Sequence, residues 1–149
     1  MMPAAVAFQA LSWWLVLRYP QAMIERGGHL LLIGRRPPVA GAAAIVGRLE
    51  AAGARVAVRL ADVASGTELA AVLDELRRTM PPLRGVVHAA GVIDDATLVQ
   101  LDRDRLARVL TPKVVGAQNL HRMTLDDPLD VFVLCSSAAS VLGSPGQGS

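Results

Sequence analysis

Four short apolar runs set the rhythm of this sequence: residues 29–34 (HLLLIG), 55–60 (RVAVRL), 85–88 (GVVH) with its continuation, and 130–135 (DVFVLC). Each is rich in Val, Leu or Ile and lacks the polar alternation of a half-exposed strand, so each predicts a strand buried on both faces of a parallel sheet. Between the runs the apolar positions change to a helical period. Residues 39–52 (VAGAAAIVGRLEAA) predict a helix ended by Gly53, and 67–80 (TELAAVLDELRRTM) one ended by Pro81. Residues 102–122 predict a longer helix with Leu106, Val109, Leu110, Val114, Ala117 and Leu120 on one face. Ser65 and Thr67, just before Glu68, offer an N-cap to the second helix. Strand and helix alternating at this spacing predict βαβ units, hence an α/β fold with a Rossmann-like, doubly wound parallel sheet.

Composition narrows the picture. A length of 149 residues suits one domain with its own core. The formal charge of +2 comes from scattered arginines and a single lysine, with no like-charge run beyond a pair, so no nucleic-acid stripe is expected. Cys135 is the only cysteine; it cannot form an internal disulfide and has no His or Cys at metal-ligand spacing, so no metal is expected and a reducing cytoplasm fits. The uncharged first 17 residues lack the flanks of an export signal, being followed by Arg18, Tyr19 and Pro20. They are also shorter than the ~20 residues of a spanning helix, and no membrane role is expected.

In an open α/β sheet, ligands bind beyond the carboxyl ends of the strands. Arg35 and Arg36 follow the first run, and a guanidinium fork there matches a phosphate, such as the 2′-phosphate of NADP; a solvated pair before a Pro-Pro turn is the simpler reading of the dipeptide alone. Asp62 follows the second run, where it can accept from an adenine amino group or equally begin a turn. Ala89, Ala90 and Gly91 follow the third and let backbone approach a flat ligand, or form a tight turn. Ser136 and Ser137 follow the fourth, where a hydroxyl can meet a carbonyl substrate or close a turn. Lys113 stands out as the only lysine in an arginine-using chain.

Taken in order, ERGGHLLLIGRR (25–36), LEAAGARV (49–56), ADV (61–63), PLRGVVHAAGVIDD (82–95), TPKVVGAQNLH (111–121) and FVLCSSAASVLGSPGQGS (132–149) resemble the ketoreductase domain of modular type I polyketide synthases, within the short-chain dehydrogenase/reductase superfamily. The resemblance implies that Arg35, with Arg36 beside it, holds the 2′-phosphate of NADPH. It implies adenine contacts from Asp62 and Val63, and a turn beside the adenosine ribose at Ala89, Ala90 and Gly91. Ser137 matches the serine that hydrogen-bonds the substrate ketone, and Lys113 the catalytic lysine. Ile93-Asp94-Asp95 is similar to the Leu-Asp-Asp signature of reductases forming the D-configured alcohol, Asp95 being the most diagnostic. Pro145 fits that pattern, and Leu142 stands where the opposite subclass has tryptophan. The implied partners are a β-ketoacyl thioester on an acyl carrier protein and other polyketide synthase domains.

Two departures from the family pattern shape further expectations. No glycine occurs in residues 1–20, where the pyrophosphate loop and first strand are looked for. That strand occupies the middle of the 3-2-1-4-5 sheet, so its loss leaves buried backbone groups unpaired at about 1–3 kcal/mol each. The sheet must close up, recruit the N-terminal segment, or stay loose. At the other end, Ser149 stands immediately before the position of the family's proton-donating tyrosine. The expectation is therefore a fragment truncated at both ends: an atypical apolar segment over 1–20, from a disrupted reading frame, and a partial ketoreductase over 21–149 with impaired NADPH binding and negligible activity alone. The alternatives are a noncatalytic structural or partner-binding remnant, and another NADP-dependent short-chain reductase. The second is disfavoured by Pro112-Lys113, because in single-chain reductases the lysine follows the tyrosine.

Overall fold

The structure is a computed structural model, which describes residues 4–8, 28–38, 40–94, 96–137 and 142. Five strands, β1 (Ala4–Phe8), β2 (His29–Gly34), β3 (Arg55–Leu60), β4 (Leu83–His88) and β5 (Val131–Leu134), form one parallel sheet in the order β3-β2-β1-β4-β5. The helices are α1 (Ala40–Ala51), α2 (Gly66–Thr79), α3 (Arg103–Leu110) and α4 (Gly116–Met123).

The sequence leaves the central strand unassigned; the structure places Ala4–Phe8 there. β1 pairs with β2 from Ala4 opposite His29 to Phe8 opposite Ile33, and with β4 from Ala5 opposite Gly85 to Ala7 opposite Val87. Of the three outcomes open to the gap, recruitment of the N-terminal segment is the one observed. AAVAF is apolar and uncharged, and it gives the inward edges of β2 and β4 the backbone partners they would otherwise lack. Its glycine-free sequence remains.

β2 shows why its run is apolar at every position. Leu31 and Ile33 enter a core with Leu69, Val72, Leu73 and Leu76 of α2 and Leu120 of α4, while Leu30 and Leu32 enter a second core with Leu49 and Ala54. Alternate residues thus serve the two faces, as a doubly wound sheet requires. α1 ends as expected at Gly53, whose φ of 96° is open to glycine and whose N–H reaches Glu50 O at 2.9 Å. α2 is capped by Ser65, whose hydroxyl accepts from Glu68 N at 3.4 Å, and it buries Leu69, Val72, Leu73 and Leu76.

The single helix expected over 102–122 is instead two helices joined by a π-helical turn, Thr111–Val115. Pro112 lacks the N–H that would reach back one α-turn, and the Gly116 N–H reaches Thr111 O, the five-residue bond of a π turn, and Lys113 O as well. The wider turn changes the inward face. Val109 and Leu120 are buried as expected, but Leu106, Leu110 and Val114 are exposed, and Pro112 and Gly116 take the inner positions.

Candidate active site

All five strands run in parallel, so their carboxyl ends share one edge of the sheet, and the chemistry-bearing residues follow them there. Beyond β2, Arg35 is exposed and its Nη1 stands 3.9 Å from Asp62 Oδ2 beyond β3. Arg36 is exposed beside it. Asp62 does form a turn: Oδ1 accepts from Ala64 N at 2.9 Å, its N–H donates to Glu68 Oε2 at 2.9 Å, and its carbonyl accepts from Ser65 N at 2.9 Å. The turn reading of Asp62 is the one observed, and Oδ2 is left facing Arg35. Val63 is buried, and the amide of Asn119 on α4 donates to Val63 O at 3.0 Å and to Ala64 O at 3.1 Å, fixing this turn against α4.

Beyond β4, Ala89 is buried and Ala90 and Gly91 are half-buried, a small-residue stretch at the same edge of the sheet. Ser136 and Ser137 follow β5 and are exposed. Their strand is held to β4 by Cys135 N, which donates to His88 O at 2.9 Å. Lys113 lies in the π turn, exposed, with its carbonyl 3.2 Å from His88 Nε2. Burial pushes the His88 imidazole below the usual histidine range, against the opposing pull of the Lys113 and Pro112 carbonyls.

A second anchored region is the stretch 91–94. Asp94 accepts from Arg105 Nη1 at 2.9 Å and from Arg108 Nε and Nη2 at 3.0 and 2.7 Å, both arginines being on α3. The Arg108 hydrogen bond, followed by the charges of Arg105 and Arg108, holds the Asp94 carboxyl below its usual range. Asp95 and Pro145 lie outside the described residues, and Leu142 is exposed.

The structure therefore brings Arg35 and Asp62 into direct contact and ties Lys113 and the Ser137 strand to one residue, His88. Sequence reasoning did not single out Asn119 or the His88 ring, nor the arginines on Asp94. Only the last left a trace, two arginines three residues apart on a helix following an acidic loop.

The sequence pattern of the KR domain matches residues 15–149. The chain belongs to the KR domain family. Among its relatives are the phenolphthiocerol synthesis polyketide synthase type I Pks15/1 of Mycobacterium marinum, 50% identical over 121 residues, and erythronolide synthase EryA2 of Saccharopolyspora erythraea, 46% identical over 121 residues. Each match takes in 80% of this chain but 6% and 3% of those proteins, so the chain spans a small part of the length of the curated relatives it matches. Solved ketoreductases have the same fold. An A-type ketoreductase from a modular polyketide synthase superposes with a TM-score of 0.86 at 37% identity, covering 98% of this chain and 31% of that one. A ketoreductase domain from the bacillaene assembly line gives 0.87 at 26% identity, covering 98% and 35%. This KR chain is thus a Rossmann-like α/β unit corresponding to about a third of those ketoreductase chains. Among the described residues no helix is long and apolar enough to cross a membrane and no metal-binding cluster occurs.

Proposed function

We propose that this chain is the nucleotide-binding and carbonyl-polarising part of an NADPH-dependent β-ketoacyl-thioester reductase of polyketide or related fatty acid biosynthesis. The observation that carries the reading is the common edge on which Arg35 meets Asp62 and Lys113 is tied through His88 to the strand of Ser137. The residues fit the cofactor: an exposed guanidinium suits a 2′-phosphate, Asp62 Oδ2 an adenine amino group, and the Ala89-Ala90-Gly91 stretch the ribose, with Arg36 and Val63 beside them. NADPH, when bound, supplies a hydride to the β-carbon. Ser137 would donate a hydrogen bond to the carbonyl oxygen as negative charge grows on it, and the Lys113 ammonium would stabilise that charge, the proton coming from a phenol that the described residues do not place at the site. The only tyrosine in these 149 residues is Tyr19, and residues 1–20 hold no glycine for the pyrophosphate. Alone, the chain accordingly binds NADPH weakly and does not turn over.

Ile93-Asp94-Asp95 supports a D-configured alcohol product, with Asp95, Pro145 and the non-tryptophan Leu142 as the stereocontrol positions. The substrate in this reading is a β-ketoacyl thioester on an acyl carrier protein, met among other polyketide synthase domains in the cytoplasm. A noncatalytic structural or partner-binding role is the second reading, favoured by the same single tyrosine at position 19. Titration with adenosine 2′,5′-bisphosphate distinguishes the two: saturable binding, lost in Arg35→Met, supports the reductase reading, and no binding at millimolar ligand favours the second.

A further inference from the structure

The π turn sets the backbone of Lys113, and one buried side chain reaches it from the sheet. His88, 4% exposed at the end of β4, has Nε2 3.2 Å from Lys113 O. That carbonyl also accepts from Gly116 N within the turn, so the ring takes its second lone pair. The ring is wedged: a Cβ built on Gly116 would stand 3.1 Å from His88 Cε1 and 2.7 Å from Val63 Cγ2, so α4 sits against His88 as closely as a glycine allows. The same residue's carbonyl accepts from Cys135 N, two positions before Ser137.

We infer that His88 is the positioning residue of this site, its Nε2–H holding the Lys113 turn and its carbonyl holding the β5 end that carries Ser137. A carbonyl can only accept, so the contact requires the proton on Nε2. Burial disfavours the charged ring, and a neutral ring has a single tautomer compatible with the contact. The inference rests on the role proposed above for Lys113, but its test needs neither cofactor nor turnover, so it can fail while that reading stands.

The chain's single lysine makes the test specific. Reductive methylation with ¹³C-formaldehyde labels Lys113 and the N-terminal amine only, and the two signals are told apart by Lys113→Arg. His88→Phe keeps an aromatic ring and removes the donor, whereas His88→Gln keeps an N–H at similar reach. The Lys113 methyl signal is expected to move by more than its linewidth in His88→Phe, toward its position in the urea-unfolded chain, and to return to the wild-type position in His88→Gln. An unmoved signal in a folded His88→Phe overturns the inference. If that variant does not fold, ¹⁵N spectra of the wild-type ring decide: a neutral Nε2–H tautomer supports the inference and an Nδ1–H tautomer overturns it.

Discussion

Gly116→Ala is a sharp test of how α4 meets the sheet. A Cβ there would lie 2.7 Å from Val63 Cγ2 and 3.1 Å from His88 Cε1, and neither neighbour can withdraw freely. Val63 is β-branched, 5% exposed and fixed through its carbonyl by Asn119, and the His88 ring is fixed by Lys113 O. Overpacking of a well-filled core costs about 1–3 kcal/mol, against which alanine recovers about 1 kcal/mol of helix propensity. The net expected is a loss of up to about 2 kcal/mol. Gly47→Ala is the control, since Gly47 is in the interior of α1, exposed, with nothing within 4 Å of a built Cβ. It gains the propensity without the clash and is expected to stabilise by up to about 1 kcal/mol. Urea unfolding followed by circular dichroism reads both. Opposite signs are predicted; a Gly116→Ala variant at least as stable as Gly47→Ala would refute the close packing of α4 on Val63 and His88.

Two further outcomes follow from the same contacts. Because burial lowers the His88 pKa in the fold, the unfolded chain binds the extra proton first: the stabilisation is present above the unfolded value of about 6.5 and is lost as pH falls through it toward the folded value. Melting temperatures measured between pH 7.5 and 5 should drop in the wild type and stay flatter in His88→Gln; equal slopes contradict the burial of the ring. Asp94→Asn removes the charge shared by Arg105 and Arg108, and amide exchange in 91–94 should quicken while the helices keep their protection. Unchanged exchange in that stretch would mean that the arginines do not anchor it.

The sheet was largely readable because four of its strands are written as short Val-, Leu- or Ile-rich runs, although burial on both faces holds for β2 and β4 and not for the outer strands β3 and β5, which are partly exposed. β1 was not, since Ala4–Phe8 sits inside a longer uncharged stretch with no Gly, Pro, Asn or Asp between Phe8 and Arg18 to mark where a strand would end. The break in the long helix was hidden for another reason: Pro112 signals a disturbance, but its outcome, a π turn that puts Pro112 and Gly116 inward, depends on packing against Val63 and His88 from distant parts of the chain. Arg35, Asp62 and Ser137 were singled out by type and by position after the strands, and Lys113 as the only lysine. The contacts of His88 with the Lys113 carbonyl and of Asn119 with the Val63 carbonyl span 25 and 56 positions, and no local pattern marks such a pair.

The central claim, that this edge of the sheet receives the adenosine end of NADPH, turns on Arg35. Calorimetric or fluorescence titration with NADPH and NADH, on the wild type and on Arg35→Met, tests it most directly. A charge-assisted hydrogen bond contributes about 1.5–3 kcal/mol, so the wild type should favour NADPH by roughly ten- to a hundredfold and Arg35→Met should bind the two alike. Equal affinity for both in the wild type, or a preference for NADPH that survives Arg35→Met, would contradict the account.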